Sequence, residues 1–177
     1  MKAQMLIVAV ALFLGGCFTS EYDLYSADGG VKMPFEAGVY RCTVIDIAEH
    51  DDDITVTEKD GTYVYQHRTS GTGMTTLLAF HRVSETRYIV VITLSGEEAN
   101  AQHTYGFAEV RDRTLQLLDF HPGRVQAVGE ETGVRIFRSA SEDPEQRLGG
   151  TPEQQRAFLS ALALERGTPV FACTSKK

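Results

Sequence analysis

Two of the three cysteines lie in segments that share one pattern: Val, aromatic, any residue, Cys, Thr. Val39 to Thr43 and Val170 to Thr174 are both strand-like, and each cysteine lies on the same face as the aromatic residue two positions before it. If the two strands pair, Cys42 and Cys173 face each other at a Cα separation that a disulfide tolerates. We therefore predict a bond between them. The alternative is a buried Cys42 thiol, with Cys173 frayed or bonded to another molecule.

Histidine and carboxylate side chains are the other groups that could do chemistry. His67, His81 and His103 fall on three predicted strands, and three histidines can bind a metal. Histidines on strands are more often exposed or hydrogen-bonded residues, and this spacing does not require a metal. The acidic segment Glu49 to Asp53 could bind calcium, but it lacks the spaced ligands and the central glycine of an EF-hand loop. A solvated loop is the better interpretation of that segment.

The sequence contains none of the common catalytic signatures. Gly-x-Ser-x-Gly, His-Glu-x-x-His, Cys-x-x-Cys and a phosphate loop that ends in Gly-Lys-Ser/Thr are all absent. A reaction cannot be assigned without a nucleophile, a base and an orienting group at meaningful spacing. We assign no catalytic residue, no metal and no cofactor, and we do not expect an enzyme.

The first residues have the layout of an export signal. One positive charge, Lys2, precedes an apolar run from Met5 to Leu14 that is too short to span a bilayer. The end of this run, Leu14-Gly15-Gly16-Cys17, resembles the lipobox of bacterial lipoproteins. The resemblance implies a signal peptide over residues 1–16 and an acylated Cys17 that anchors the chain to a membrane. The alternative is an ordinary secretory signal that is cut elsewhere.

The same resemblance implies a location. Lipoproteins kept at the inner membrane of enteric bacteria typically carry Asp after the acylated cysteine, whereas this chain carries Phe18. We therefore expect the cell envelope and, within it, the outer membrane facing the periplasm. That compartment is oxidising, which agrees with the predicted disulfide.

Charge and length limit the remaining possibilities. The chain has 17 basic and 24 acidic residues, a net charge of −7, and loss of Lys2 with the signal makes it −8. Such a surface disfavours nucleic acid and electrostatic attraction to anionic lipid, so membrane attachment depends on the acyl chains. The remaining 161 residues suit one domain. We expect a lipidated N-terminus and tether over residues 17–37 and a single domain over residues 38–177.

Runs of β-branched and aromatic residues, separated by turn residues, predict an all-β domain. The predicted strands are Val39 to Ile47, Ile54 to Glu58, Thr62 to Arg68, Met74 to Val83, Arg87 to Leu94, Gln102 to Val110, Thr114 to Phe120 and Val134 to Ser139. The short links between most of them predict an antiparallel meander of about eight strands, closed most economically into a barrel.

A helix and a last strand are predicted after the meander. Thr151 is the N-cap of a helix over residues 151–166, Gly167 ends it, and Val170 to Thr174 form a short ninth strand. This order of strands, one helix and a final strand resembles the layout of lipocalins. Their Gly-x-Trp motif is absent, because the chain contains no Trp.

The long loops of the predicted meander fall at one end and carry many carboxylates. Long loops on a rigid scaffold often bind partners, so this acidic rim is the candidate binding site; the alternative is that it only keeps the domain soluble. The rim residues are Glu49, Asp51, Asp52, Asp53, Glu97, Glu98, Glu130 and Glu131.

These patterns together favour a non-catalytic binding or interaction module in the cell envelope. An inhibitor of an envelope protein is one concrete form of it. The first alternative is a lipocalin-like carrier of a small apolar ligand, and the second is an envelope hydrolase.

Overall fold

The computed structural model describes residues 17–25, 37–45, 51–59, 62–67, 75–95, 103–138 and 146–176. This part of the chain is mostly β, with eleven strands in one sheet and two helices. In chain order the elements are β1 (Phe18–Ser20), β2 (Gly38–Val44), β3 (Asp51–Lys59), β4 (Thr62–His67), β5 (Thr75–Arg82), β6 (Arg87–Ser95), β7 (His103–Arg111), β8 (Thr114–Asp119), α1 (Pro122–Thr132), β9 (Arg135–Arg138), β10 (Gln146–Gly149), α2 (Pro152–Leu164) and β11 (Thr168–Ser175).

Backbone pairing places the strands in the order β6-β5-β4-β3-β2-β11-β8-β7-β1-β10-β9. The sheet is mixed, because β1 and β10 are parallel while the other ladders are antiparallel. A further antiparallel ladder joins β6 to β7, from Arg87↔Glu109 to Ile92↔Thr104. The order ends at β9, so the sheet as a whole is not closed. The predicted simple closed barrel is therefore not supported, since β1, β10 and β9 extend the sheet beyond β7.

The predicted strands correspond to β2 through β9 and β11, and their ends differ by no more than three residues. The meander is confirmed from β2 to β8, where each strand pairs with the next. It does not continue into β9, which pairs with β10 instead. The ninth predicted strand, β11, lies beside β2 as expected.

The sheet carries a hydrophobic core on each face, and β6 contributes to both. Tyr88 and Val90 point into one core, while Ile89 and Val91 point into the other, because successive side chains of a strand point to opposite faces. The helix-side core lies between the sheet and the two helices and includes Phe18, Leu24, Ile89, Tyr105, Phe107, Phe120, Val125, Phe158 and Leu162. The strand-side core includes Tyr40, Cys42, Ile54, Phe80, Tyr88, Val90, Val110, Leu115, Phe171 and Cys173.

The sequence pattern predicts one of the two helices and not the other. The capping box predicted at Thr151 is present, with Gln154 as its second member, and α2 ends close to the predicted position. By contrast, α1 occupies the gap between the seventh and eighth predicted strands, which we predicted as one of the long loops. His121 is its N-cap, and Gly133 ends it at a φ of 72°, which glycine adopts without strain. No helix in the described part of the chain is long and apolar enough to cross a membrane.

The predicted disulfide is confirmed. Cys173 of β11 lies directly opposite Cys42 of β2, with the Cα atoms 4.0 Å apart and the sulfurs bonded. Both residues are buried in the strand-side core. The bond spans 131 residues of sequence and connects β2 to the last strand.

Removing this bond should lower the free energy of unfolding by about 4 to 5 kcal/mol, because a crosslink across so long a loop restricts the unfolded chain. The variant carries Cys42→Ala and Cys173→Ala together, and urea unfolding under oxidising conditions measures the difference. Reduced wild-type protein is the control and should behave like the variant. Equal unfolding midpoints for the variant and the oxidised wild type would contradict this expectation.

Candidate functional site

The segment from Cys17 to Tyr25 is part of the folded domain. Its strand β1 pairs with β7 on one side and with β10 on the other, and all three of its residues are buried. The prediction of a tether is therefore wrong for this segment, because its backbone is hydrogen-bonded into the sheet. Residues 26–36 of the predicted tether lie outside the described residues.

Side chains of β1 connect it to α2. The Phe18 ring packs edge-on against Phe107, with ring centroids 5.9 Å apart, and against Phe158, with centroids 5.2 Å apart. The Ser20 hydroxyl donates to Gln155 Oε1 at 2.6 Å. Because Phe18 is only 1% exposed, detaching this strand would expose a large apolar side chain to water.

Tyr105 of β7 holds the residues that follow β1. Its buried hydroxyl donates to the Tyr22 carbonyl oxygen at 3.1 Å and accepts from the Leu24 amide at 2.8 Å. Burial, with a smaller contribution from the Asp23 charge, raises the pKa of Tyr105 to about 12. The phenol therefore stays protonated and able to donate at physiological pH. On the helix side, Arg156 Nε donates to the Leu24 carbonyl oxygen at 3.0 Å.

Cys17, the expected lipid attachment residue, lies immediately before the first paired residue of β1. Its thiol is buried, and Sγ lies 3.6 Å from the point where a Cβ on Gly106 would be. Burial, and to a lesser extent the Asp119 charge, raises the pKa of the Cys17 thiol to about 12. The group is therefore a neutral thiol, with no linker between it and the sheet.

An aromatic side chain flanked by two arginines lies on β9 and β10. Phe137 is 42% exposed, and the Arg135 and Arg147 guanidinium carbons lie 5.7 and 5.5 Å from its ring centroid. These distances are typical of cation–π contacts. Gly149 lies beneath the ring, where a Cβ would come within 2.6 Å of Phe137 Cε2, so glycine lets the ring approach the backbone of β10. We call Arg135, Phe137 and Arg147 the Arg–Phe surface.

One carboxylate contacts the Arg–Phe surface. Glu21, just after β1, pairs with Arg147 at 3.3 Å, and both side chains are more than half exposed. Exposed pairs of this kind contribute little to stability, so the arginine remains available to other anions. We did not predict this surface, although an Arg and a Phe two positions apart on a predicted strand necessarily share a face.

The described residues of the acidic rim lie in a strand and a helix, and not in loops as we predicted. Asp51, Asp52 and Asp53 lie within β3, where their backbone pairs with β2. Glu130 and Glu131 lie in the last turn of α1 and are exposed. The remaining rim residues, Glu49, Glu97 and Glu98, lie outside the described residues.

Two of the three candidate histidines lie far apart in the sheet. Tyr63 of β4 lies opposite Leu78 of β5 in the antiparallel register. In this register, the positions of His67 and His81 are about seven residues apart along the strand direction, or roughly 23 Å. His103 Nδ1 lies 3.8 Å from Asp23 Oδ1. Within the described ranges, no group of three or more His, Cys, Asp or Glu side chains could hold a metal ion.

Replacing Tyr105 with Phe should loosen the segment after β1. The variant Tyr105→Phe leaves the buried Leu24 amide without its acceptor, a loss of roughly 1–3 kcal/mol. Hydrogen exchange followed by mass spectrometry should show faster exchange at residues 22–25. The matched control is Tyr25→Phe. The hydroxyl that this variant removes makes longer contacts, 3.4 Å to the Arg156 carbonyl oxygen and 3.2 Å to the Ser160 hydroxyl. Unchanged exchange in Tyr105→Phe would show that the phenol does not hold this segment.

The chain matches no protein-family model, no curated protein and no solved structure. Its function therefore has to be argued from its own residues.

Proposed function

We propose that this protein is a lipid-anchored component of the cell envelope that acts as a non-catalytic binding or interaction module. The lipobox-like Leu14-Gly15-Gly16-Cys17 supports the anchor. The Cys42–Cys173 disulfide is compatible with a compartment outside the cytoplasm. The proposed site is the outer membrane, on the side that faces the periplasm.

The observation that carries the choice of a module is the filling of the strand-side core. Two of its large side chains, Phe80 and Tyr88, are each only 1% exposed, and their rings pack edge-on with centroids 6.2 Å apart. We further propose that β2 through β8 and β11 form a barrel-like unit around this core. The ladder between β6 and β7 supports this, because it pairs the first strand of the sheet order with the eighth. A filled interior leaves the outer surface as the place for a partner.

The two alternatives receive less support. A carrier of a small apolar ligand needs an internal cavity, and the side chains that could line one, such as Tyr40 and Phe171, are buried together in the strand-side core. For an envelope hydrolase, no arrangement of side chains within the described ranges argues in its favour. We therefore propose an interaction with another envelope component, for which an inhibitor remains one form.

The anchor can be tested by metabolic labelling with a fatty acid in a bacterial host. The Cys17→Ser variant should lose the label and accumulate as a soluble or uncleaved form, because the thiol that accepts the lipid is missing. The double variant Cys42→Ala, Cys173→Ala is the control and should keep the label. A Cys17→Ser protein that is processed at the normal site and recovered in the membrane fraction would contradict the proposal.

The choice between module and carrier can be tested on the purified protein. Organic extraction should release no stoichiometric lipid beyond the covalent one, because the strand-side core is already filled. Crosslinking in cells should instead capture a defined envelope protein. A stoichiometric extracted lipid, with no crosslinked partner, would favour the carrier and overturn the module.

A further inference from the structure

We infer that the Arg–Phe surface contacts anionic phospholipid and fixes the orientation of the domain on the membrane. This inference rests on the proposed lipid anchor and goes beyond it. The anchor attaches the chain to the membrane, whereas the Arg–Phe surface determines which face of the domain touches the lipid headgroups.

Strand register places this surface on the same face of the sheet as the anchor. Thr19 of β1 lies opposite Arg147 of β10, and Arg147 lies opposite Phe137 of β9. Residues directly opposite each other in a sheet share a face, and so do residues two apart in one strand. Cys17 precedes Thr19 by two positions, and Arg135 precedes Phe137 by two. The anchor and the Arg–Phe surface therefore share a face.

The distance between anchor and surface is short. Neighbouring strands lie about 4.8 Å apart, so β9 lies roughly 10 Å from β1 across the sheet. Because Phe18 is already paired, no flexible linker separates Cys17 from the domain. Acylation requires the Cys17 thiol, which is buried beside Gly106, to move out of that position. An acyl chain in the bilayer then brings this face within reach of the headgroups.

The chemistry of the surface suits a phospholipid interface. A guanidinium group binds phosphate oxygens through two parallel hydrogen bonds, and an aromatic ring is favoured at the boundary between headgroups and acyl chains. Arg147 is 52% exposed, and Arg135 is exposed as well. Among the described carboxylates, Glu21 is the one paired with this surface, and it is itself 71% exposed. An anionic lipid can therefore replace it at little cost.

An acidic protein partner would satisfy the arginines equally well, but it would not explain their position beside the anchor. A second copy of the chain is a weaker occupant, because a net charge of −7 makes two copies repel each other. The shared face favours lipid, and the other occupants become outcomes of the test.

The chain contains no Trp, which makes one introduced indole a specific reporter. The full lipidated Phe137→Trp protein is reconstituted into vesicles of phosphatidylcholine and phosphatidylglycerol whose acyl chains are brominated, and quenching of its fluorescence is measured. Leu164→Trp is the matched control, since Leu164 is 62% exposed and ends the helix that begins beside β10, about 20 Å away. We expect a blue shift and strong quenching for Phe137→Trp, and neither for Leu164→Trp.

A charge-reversal variant tests the arginines. Arg135→Glu with Arg147→Glu, introduced into the Phe137→Trp protein, should abolish most of the quenching, because each arginine near an anionic surface changes the bound population about fivefold. Arg166→Glu is the control for charge alone. High salt, or vesicles of phosphatidylcholine only, should reduce the quenching of the parent variant as well.

Vesicle flotation separates the two ways in which the idea can fail. A protein that does not float with the vesicles contradicts the anchor itself. A protein that floats, but whose Phe137→Trp indole is no better quenched than that of Leu164→Trp, overturns the lipid contact while leaving the anchor intact. A blue shift that needs an added envelope protein, or that grows with protein concentration without vesicles, assigns the surface to a protein partner or to a second copy and also overturns it.

Discussion

The burial of β7 on both of its faces is the constraint on which the rest of the structure depends. Tyr105 and Phe107 point into the helix-side core, while Ala108 and Val110 point into the strand-side core. One edge of β7 pairs with β6, and the other pairs with β8 near its C-terminal end and with β1 near its N-terminal end. Two cores and three neighbouring strands therefore meet on one strand, and a change in its register would move side chains between the cores.

The position of the N-terminal segment follows from this arrangement. β8 pairs with β7 only from Ala108 onward, which leaves the edge before that point for another strand. β1 occupies that edge and brings Phe18 into the helix-side core. The hydroxyl of Tyr105, on the same strand, then holds the residues after β1. An N-terminal segment bound in this way is part of the core and determines where anything attached to Cys17 leaves the domain.

The sequence predicted those elements whose signal is local. Strands β2 to β8 have alternating or strongly apolar patterns, and the repeated cysteine pattern predicted the pairing of β2 with β11 as well as the disulfide. β1 and β10 are only three and four residues long, too short to show a period, and their burial comes from neighbours distant in sequence. The sequence of α1 has a weak helical pattern, because it contains two glycines and few apolar residues, although Val125 and Val128 share a buried face.

The loop that we predicted at Asp51 to Asp53 was wrong for a related reason. Three consecutive aspartates have low strand propensity and are typical of a loop, but pairing with β2 overrides that preference at Asp51 to Asp53. Strand propensity depends strongly on context, so a charge run at the end of a predicted strand does not fix where the strand ends. The Arg–Phe surface gives no strong sequence signal, because it consists of three residues on two strands of four residues each.

Net charge describes the whole chain and does not describe the charge of one face of the domain. The chain as a whole is acidic, which argues against attraction to anionic lipid if the charge is treated as uniform. At physiological ionic strength, however, the Debye length is about 8 Å, so carboxylates further away than this are largely screened from a phosphate bound at Arg147. Among the described residues, the charges shown at this surface are Arg147 and Arg135, both close to the Phe137 ring, and Glu21, which pairs with Arg147. An acidic protein can thus carry a basic contact surface, provided that the surface is within a Debye length of its ligand and its acidic residues are not.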